Sequence, residues 1–130
     1  MRRLRLRETA IQQAVIDHWR KLGQPETLVA AIPNAYAFGQ PGLTAGLFDL
    51  LCIGRHIPGR IGFIELKVDD KSIVSEAQLA FKALLLRHDI SYALTYGRDQ
   101  PIDVLEAWGL VRPRKKELLD TTKRQTRMIR

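Results

Sequence analysis

The sequence predicts an α/β fold in which a small mixed β-sheet is flanked by helices. Three observations predict it: a helical repeat of apolar residues near the start, two apolar segments joined by a Pro-Gly turn, and a later succession of helix, strand and helix. The length of 130 residues and the 45% hydrophobic content suit a single domain, residues 1–130, with its own core.

The elements follow in the order helix, three strands, helix, strand, helix. Ile11, Val15, Trp19 and Leu22 recur at helical spacing, and Gly23 ends that first helix. Pro58-Gly59 marks a turn between two apolar segments and predicts a hairpin. We expect helices over 8–22, 76–88 and 101–108, and strands over 28–32, 47–53, 61–68 and 90–96.

The net charge of +7 is concentrated at the two ends of the chain. Four arginines and no acid lie within residues 1–7, and eight basic residues face two acids within 112–130, so the middle is mildly acidic. These basic tails indicate a polyanionic partner, although they can equally serve solubility alone. The candidates for phosphate contacts with such a partner are Arg2, Arg3, Arg5, Arg7, Arg114, Lys115 and Lys116.

Several classes of protein are excluded by what the sequence contains. The single cysteine, Cys52, excludes an internal disulfide framework and a Cys-rich zinc site, and it suits a reducing compartment. No apolar run approaches the roughly 20 residues that span a bilayer, so we expect no membrane partner. The basic start is not followed by an apolar segment, which argues against a signal peptide.

Charged residues interrupt two strands that otherwise look like core. Asp49 lies in the second predicted strand, and Glu65 and Lys67 lie in the third. Because side chains alternate along a strand, Glu65 and Lys67 share one face. A carboxylate among apolar residues is costly unless it is paired or holds a metal ion.

This combination suits phosphodiester hydrolysis. Two carboxylates and a neighbouring backbone carbonyl can hold Mg²⁺ against a phosphate oxygen. A lysine beside them can orient or deprotonate the attacking water, or neutralise developing charge. The alternative is structural: Asp49 forms a buried ion pair with Lys67, and Glu65 lies at an exposed strand edge.

Five segments together resemble the VRR-NUC family of PD-(D/E)XK nucleases. Residues 42–50 (GLTAGLFDL) are similar to its G-L-x-x-G-x-P-D-L segment, and 63–67 (FIELK) to its F-I-E-x-K segment. Ser75 and Gln78 match its S-x-x-Q, Glu8 with Gln12 its acid in the first helix, and Pro33-Asn34 its Pro-Asn pair. Phe48 departs from the family, which usually has proline before the aspartate.

The resemblance implies a restriction-endonuclease-like core (αβββαβ) and a Mg²⁺- or Mn²⁺-dependent DNA endonuclease. In this assignment Asp49, Glu65 and the carbonyl of Leu66 bind the metal, Lys67 assists the water, and Glu8 and Gln78 support the site. The resemblance also implies a homodimer that acts on branched DNA, similar to Holliday-junction resolvases in DNA repair. It further implies a location in the cytoplasm of a bacterium or a phage-infected host.

Two supporting residues have structural alternatives. Ser75 and Gln78 form the sequence pattern of a capping box, which satisfies the free N–H groups at a helix start. Glu8 can be a first-turn acid that the helix dipole favours. At the level of function, the alternatives are a non-catalytic DNA-binding module on the same fold and an adaptor whose basic tails dock an acidic protein.

Overall fold

The order of elements along the chain is the one that the sequence predicts. The structure, a computed structural model, describes residues 2–33 and 41–114, with side chains described from Arg7 onward. The elements are α1 (Arg2–Leu22), β1 (Leu28–Ala31), β2 (Leu50–Ile53), β3 (Ile61–Lys67), α2 (Glu76–Arg87), β4 (Ser91–Tyr96) and α3 (Asp99–Ala107).

The four strands form one mixed sheet in the order β1-β2-β3-β4. β1 pairs antiparallel with β2, β2 pairs antiparallel with β3, and β3 pairs parallel with β4. The connection between the two parallel strands runs through α2, because parallel neighbours need a crossover. β3 is therefore a central strand, and its carboxyl end lies close to the start of α2.

One face of the sheet carries the main apolar core. Ile64 and Leu66 of β3 point to this face, where they pack with Val15 of α1 and Leu105 of α3. All four side chains are at most 2% exposed. The predicted alternation along β3 is confirmed here, since these are the residues that the period of two assigns to the core.

The opposite face of the sheet is covered by α2 through aromatic side chains. Phe81 of α2 meets Phe63 of β3 and Phe48 edge-on, with ring centroids 5.3 Å apart in both pairs. Because Glu65 and Lys67 alternate with Leu66, they lie on this second face. The charged residues thus share a face with α2.

The first helix begins earlier than its apolar repeat predicts. α1 starts at Arg2, so the basic segment 1–7 that we expected to be a tail is helical from its second residue. Arginine and leucine are strong helix formers, and they extend the helix in the N-terminal direction beyond the apolar stripe.

Within residues 2–33 and 41–114, no helix combines the length and the apolar character that a membrane span requires.

Candidate active site

β3 brings Glu65 and Lys67 together on one buried face. The Lys67 ammonium lies 3.3 Å from Oε2 of Glu65, and the two side chains are only 7% and 3% exposed. The structural alternative, in which Glu65 lies at an exposed edge, is therefore wrong. Since both charges are almost fully removed from water, they depend on one another and on their other partners for stability.

Asp49, which lies directly before β2, contacts the same segment of β3. Its Oδ2 accepts a hydrogen bond of 2.7 Å from the backbone N–H of Leu66, the residue between Glu65 and Lys67. This contact also corrects the predicted strand 47–53, because β2 begins only at Leu50. The Leu66 N–H donates to the Asp49 side chain and not to a backbone carbonyl. The ladder of backbone hydrogen bonds between β2 and β3 therefore does not extend to Asp49.

The two carboxylates interact electrostatically. Burial and the nearby charge of Asp49 raise the pKa of Glu65 to about 8. Burial likewise raises the pKa of Asp49, against the hydrogen bond from Leu66 that favours its ionised form. A buried and a half-buried carboxyl group, both with raised pKa values, are a combination that is typical of functional sites.

One atom of Glu65 supports the same conclusion. Among the described residues, Oε1 of Glu65 is buried and makes no hydrogen bond. A buried carboxylate oxygen without a donor is costly, and native structures rarely leave one so. A divalent cation is the kind of group that would satisfy it.

The amino group of Lys67 is held by three acceptors. Besides Glu65, it donates to the backbone carbonyl of Ile73 at 3.1 Å and to Oε1 of Gln78 at 2.9 Å. A lysine ammonium has three protons and no acceptor site, so these contacts match its full donor capacity. The arrangement holds the Lys67 side chain at a fixed place beside Glu65.

Gln78 makes the capping contacts and also contacts the charged pair of β3. Its backbone N–H donates to Oγ of Ser75 and its Oε1 accepts from the N–H of Ser75, which together form the capping box. Its Nε2 also donates to Oε2 of Glu65 at 2.7 Å. The same amide therefore fixes the start of α2 and links Glu65 to Lys67.

The position of α2 depends on two close contacts with the segment that precedes Asp49. Gly46 has φ +91°, and a Cβ there would lie 2.4 Å from the backbone carbonyl of Ala77. Phe48 is 1% exposed and packs edge-on against Phe81 and Tyr92. Phe48 is thus an anchor for α2 that the sequence did not reveal.

The sequence also did not identify Ile73 as part of the site. Its contribution is a backbone carbonyl, which leaves no trace in residue type. The one signal available was position, because Ile73 and Val74 form an apolar pair between the polar residues 69–72 and Ser75.

Glu8 lies on α1, about two turns into the helix and half-buried. The alternative that it is a first-turn acid is wrong, because the first turn of α1 contains no acidic residue. The described part of the chain has no group of three His, Cys, Asp or Glu side chains placed to share a metal ion. Glu8 therefore does not join Asp49 and Glu65 in a three-ligand cluster, and its supporting role stays a prediction. Gln12, also half-buried, lines a shallow groove between α1 and β1.

The predicted phosphate contacts differ in what the structure shows of them. Arg7 is exposed on α1. Arg114 instead pairs with two carboxylates of α3, Asp103 and Glu106, so any phosphate would have to compete with them. The side chains of Arg2, Arg3 and Arg5, and the residues Lys115 and Lys116, lie outside what the structure describes.

The residues at the site fit a divalent cation. Asp49 and Glu65 supply hard oxygen ligands, burial raises the pKa of both carboxyls, and Oε1 of Glu65 has no hydrogen-bond donor. The carbonyl of Leu66 belongs to the same segment, since the N–H of that residue already binds Asp49.

Comparison with known proteins gives a likeness of structure. No protein-family model and no curated protein sequence matches the chain. Among solved structures, a "VRR_NUC domain protein" superposes with a TM-score of 0.64 at 24% identity, over 82% of this chain and 96% of that one. A second structure, a "VRR_NUC domain", gives 0.56 at 21% identity, over 77% of this chain and 95% of that one.

The chain has the VRR_NUC fold. The fold that the sequence resemblance implied is thereby confirmed. In this VRR_NUC fold, the two segments that carry the resemblance most strongly, 42–50 and 63–67, contribute Asp49 and the Glu65–Lys67 pair to one end of β3.

Proposed function

We propose that this protein is a divalent-metal-dependent DNA endonuclease. The observation that carries the proposal is the buried Glu65 carboxyl, which lies near the half-buried Asp49 and is joined by Gln78 to the Lys67 ammonium. The names of the two similar structures, both VRR_NUC domains, support the assignment to nucleases. Strand β3 and the capping box of α2 hold Glu65, Lys67 and Gln78 in these positions without a substrate.

Each residue has a distinct task in the proposed reaction. Asp49, Glu65 and the carbonyl of Leu66 would hold Mg²⁺ or Mn²⁺. Such an ion, when bound, stabilises negative charge on the phosphate and lowers the pKa of a water molecule. Lys67 would neutralise developing negative charge and would not abstract a proton, because its amino group already faces three acceptors. Gln78 keeps Glu65 and Lys67 in a fixed relation.

We further propose that the substrate is branched DNA and that the active form is a homodimer in the cytoplasm. One chain offers one site, so a two-fold dimer is the simplest way to cut two strands symmetrically. Basic side chains such as Arg7 would contact phosphates without reading sequence. A monomer in light scattering, with or without DNA, would remove the dimer from the proposal.

The decisive experiment is a cleavage panel of four-way junction, flap, nicked and plain duplex DNA in Mg²⁺ and in Mn²⁺. We expect cleavage of the branched substrates by the parent protein. Asp49→Ala and Lys67→Ala should each lose at least about 100-fold in rate, as expected for removal of charge stabilisation. Asp70→Ala, an exposed acid in the segment after β3, is the matched control and should cut like the parent.

A non-catalytic DNA-binding module is the second candidate, since it would keep the fold and the basic surface. It would show salt-dependent binding and no cleavage in either metal. An adaptor for an acidic protein would show neither DNA binding nor DNA cleavage. The nuclease proposal is overturned by a parent protein that cuts no substrate, or by variants at Asp49 and Lys67 that cut as fast as the parent.

A further inference from the structure

Ile73 is the most exposed large apolar side chain in the described part of the chain. It is 85% exposed, against 63% for the next, Leu86. Its own carbonyl accepts from the Lys67 ammonium at 3.1 Å, so its backbone is part of the candidate active site. An apolar side chain therefore projects into solvent directly beside the charged groups.

The segment that presents Ile73 is braced on its N-terminal side. The N–H of Ser72 donates to the carbonyl of Asp69, and the N–H of Asp69 donates to Oγ of Ser72. On its other side stands the capping box of α2. The exposed side chain is thus carried by a supported turn, with the exposed Lys71 two residues away.

Two further exposed leucines stand next to residues of the site. Leu47, two residues before Asp49, is 37% exposed, and Leu79, which follows Gln78, is 50% exposed. Each of the three segments that build the site therefore carries an exposed apolar side chain at, or within two residues of, a residue of the site. In DNA, the base edges are the groups that make apolar contacts with protein.

We propose that Ile73 is a wedge that inserts against a base beside the scissile phosphate and unstacks it. The inference rests on the proposed nuclease function, which puts a phosphate at Asp49, Glu65 and Lys67. Apolar side chains that enter between base steps partly unstack and kink DNA. Unstacking costs least where pairing is already disturbed, so this wedge would favour branched DNA over plain duplex.

The first test follows the base itself. DNA carrying 2-aminopurine beside the cleavage position is bound to protein in the Asp49→Ala background, which prevents cutting. We expect fluorescence to rise on binding, and the additional Ile73→Ala change to remove most of that rise. Leu86→Ala, an exposed leucine in the last turn of α2, is the control and should leave the rise intact. An unchanged rise with Ile73→Ala overturns the wedge.

The second test uses cleavage by otherwise unaltered protein. Ile73→Ala keeps the backbone carbonyl that binds Lys67 and should slow cutting of a fully paired branch by about tenfold, the scale of an unstacking cost. A branch with two unpaired nucleotides beside the cut should lose less than about twofold, since its bases are already unstacked. Ile73→Met, which keeps a large apolar side chain, should cut the paired branch at close to the parent rate.

The outcomes separate the wedge from the nuclease proposal. Equal losses on the paired and unpaired branches, or no loss on either, overturn the wedge and leave the nuclease intact. If the parent protein binds DNA without cutting it, the nuclease proposal fails, and the wedge fails with it because there is no scissile phosphate. A protein that binds no DNA overturns both.

Discussion

The side-chain amide of Gln78 donates a hydrogen bond of 2.7 Å to Oε2 of Glu65, across the gap between α2 and the sheet. Its oxygen meanwhile accepts from the Lys67 ammonium and from the N–H of Ser75. A helix cap and a charged centre thus share one side chain. A change at Gln78 itself therefore removes a partner of both Glu65 and Lys67.

The two roles of Gln78 can be separated by comparing it with its capping partner. Ser75→Ala removes the hydroxyl that caps α2 and should destabilise the protein by about 1 kcal/mol while cleavage is largely kept. Gln78→Ala should cost a similar amount of stability, and in addition slow cleavage by about tenfold or more, because Glu65 and Lys67 lose their link. Urea unfolding and single-turnover cleavage measure the two effects. Equal cleavage by both variants would show that the amide acts only as a cap.

The stability of the metal-free protein should fall as pH rises from about 4.5 to about 8, with Glu65 responsible for much of the fall. The pKa of this carboxyl is raised in the folded protein to about 8, so the folded state holds its proton more tightly than the unfolded chain does. The contribution from Glu65 is therefore complete below the unfolded value and is lost as pH rises through the folded one, by at most about 1.4 kcal/mol per pH unit.

Glu65→Gln provides the comparison, because the amide does not ionise. In EDTA, urea midpoints across this pH range should decline less for Glu65→Gln than for the parent, and Mg²⁺ should stabilise the parent most at the high end of the range. Parallel pH profiles for the two proteins would contradict the assignment of the decline to Glu65. Asp49, whose pKa is also raised, accounts for a residual slope in the variant.

Phe48 should be important for stability. It is 1% exposed and packs edge-on against Phe81 and Tyr92, so Phe48→Ala should cost about 3–5 kcal/mol. Phe48→Leu should cost clearly less. A double-mutant cycle with Phe81→Leu should show coupling of about 0.5–1.5 kcal/mol beyond lost area. Additive losses would mean that the two rings do not stabilise one another.

Arg114 and Arg7 should behave differently towards DNA. Arg114 binds two carboxylates of α3, so Arg114→Ala should lower the free energy of unfolding by about 1–2 kcal/mol and leave the salt dependence of DNA binding unchanged. Arg7 is exposed, and Arg7→Ala should reduce the slope of log affinity against log salt by about one. Fluorescence anisotropy over a salt series measures both. The reverse pattern would return Arg114 to the phosphate contacts.

Much of the fold could be predicted because its signals are local. Among the described residues, apolar patterns and turn signals located the three helices and four strands, and the Pro-Gly turn located the hairpin. The errors lie at element ends. α1 extends back to Arg2 because good helix formers continue past the apolar stripe, and β2 starts only at Leu50 because the Asp49 side chain takes the Leu66 N–H.

The sequence by itself determined that Glu65 and Lys67 share a face, since strand alternation is a property of neighbouring residues. Only the tertiary structure decided what these charges meet: the Gln78 amide, the Ile73 carbonyl and the Asp49 carboxylate. It also decided that Arg114 faces α3 and that Phe48 anchors α2. These contacts join residues far apart in the chain, and they depend on strand register and helix packing, which no local pattern encodes.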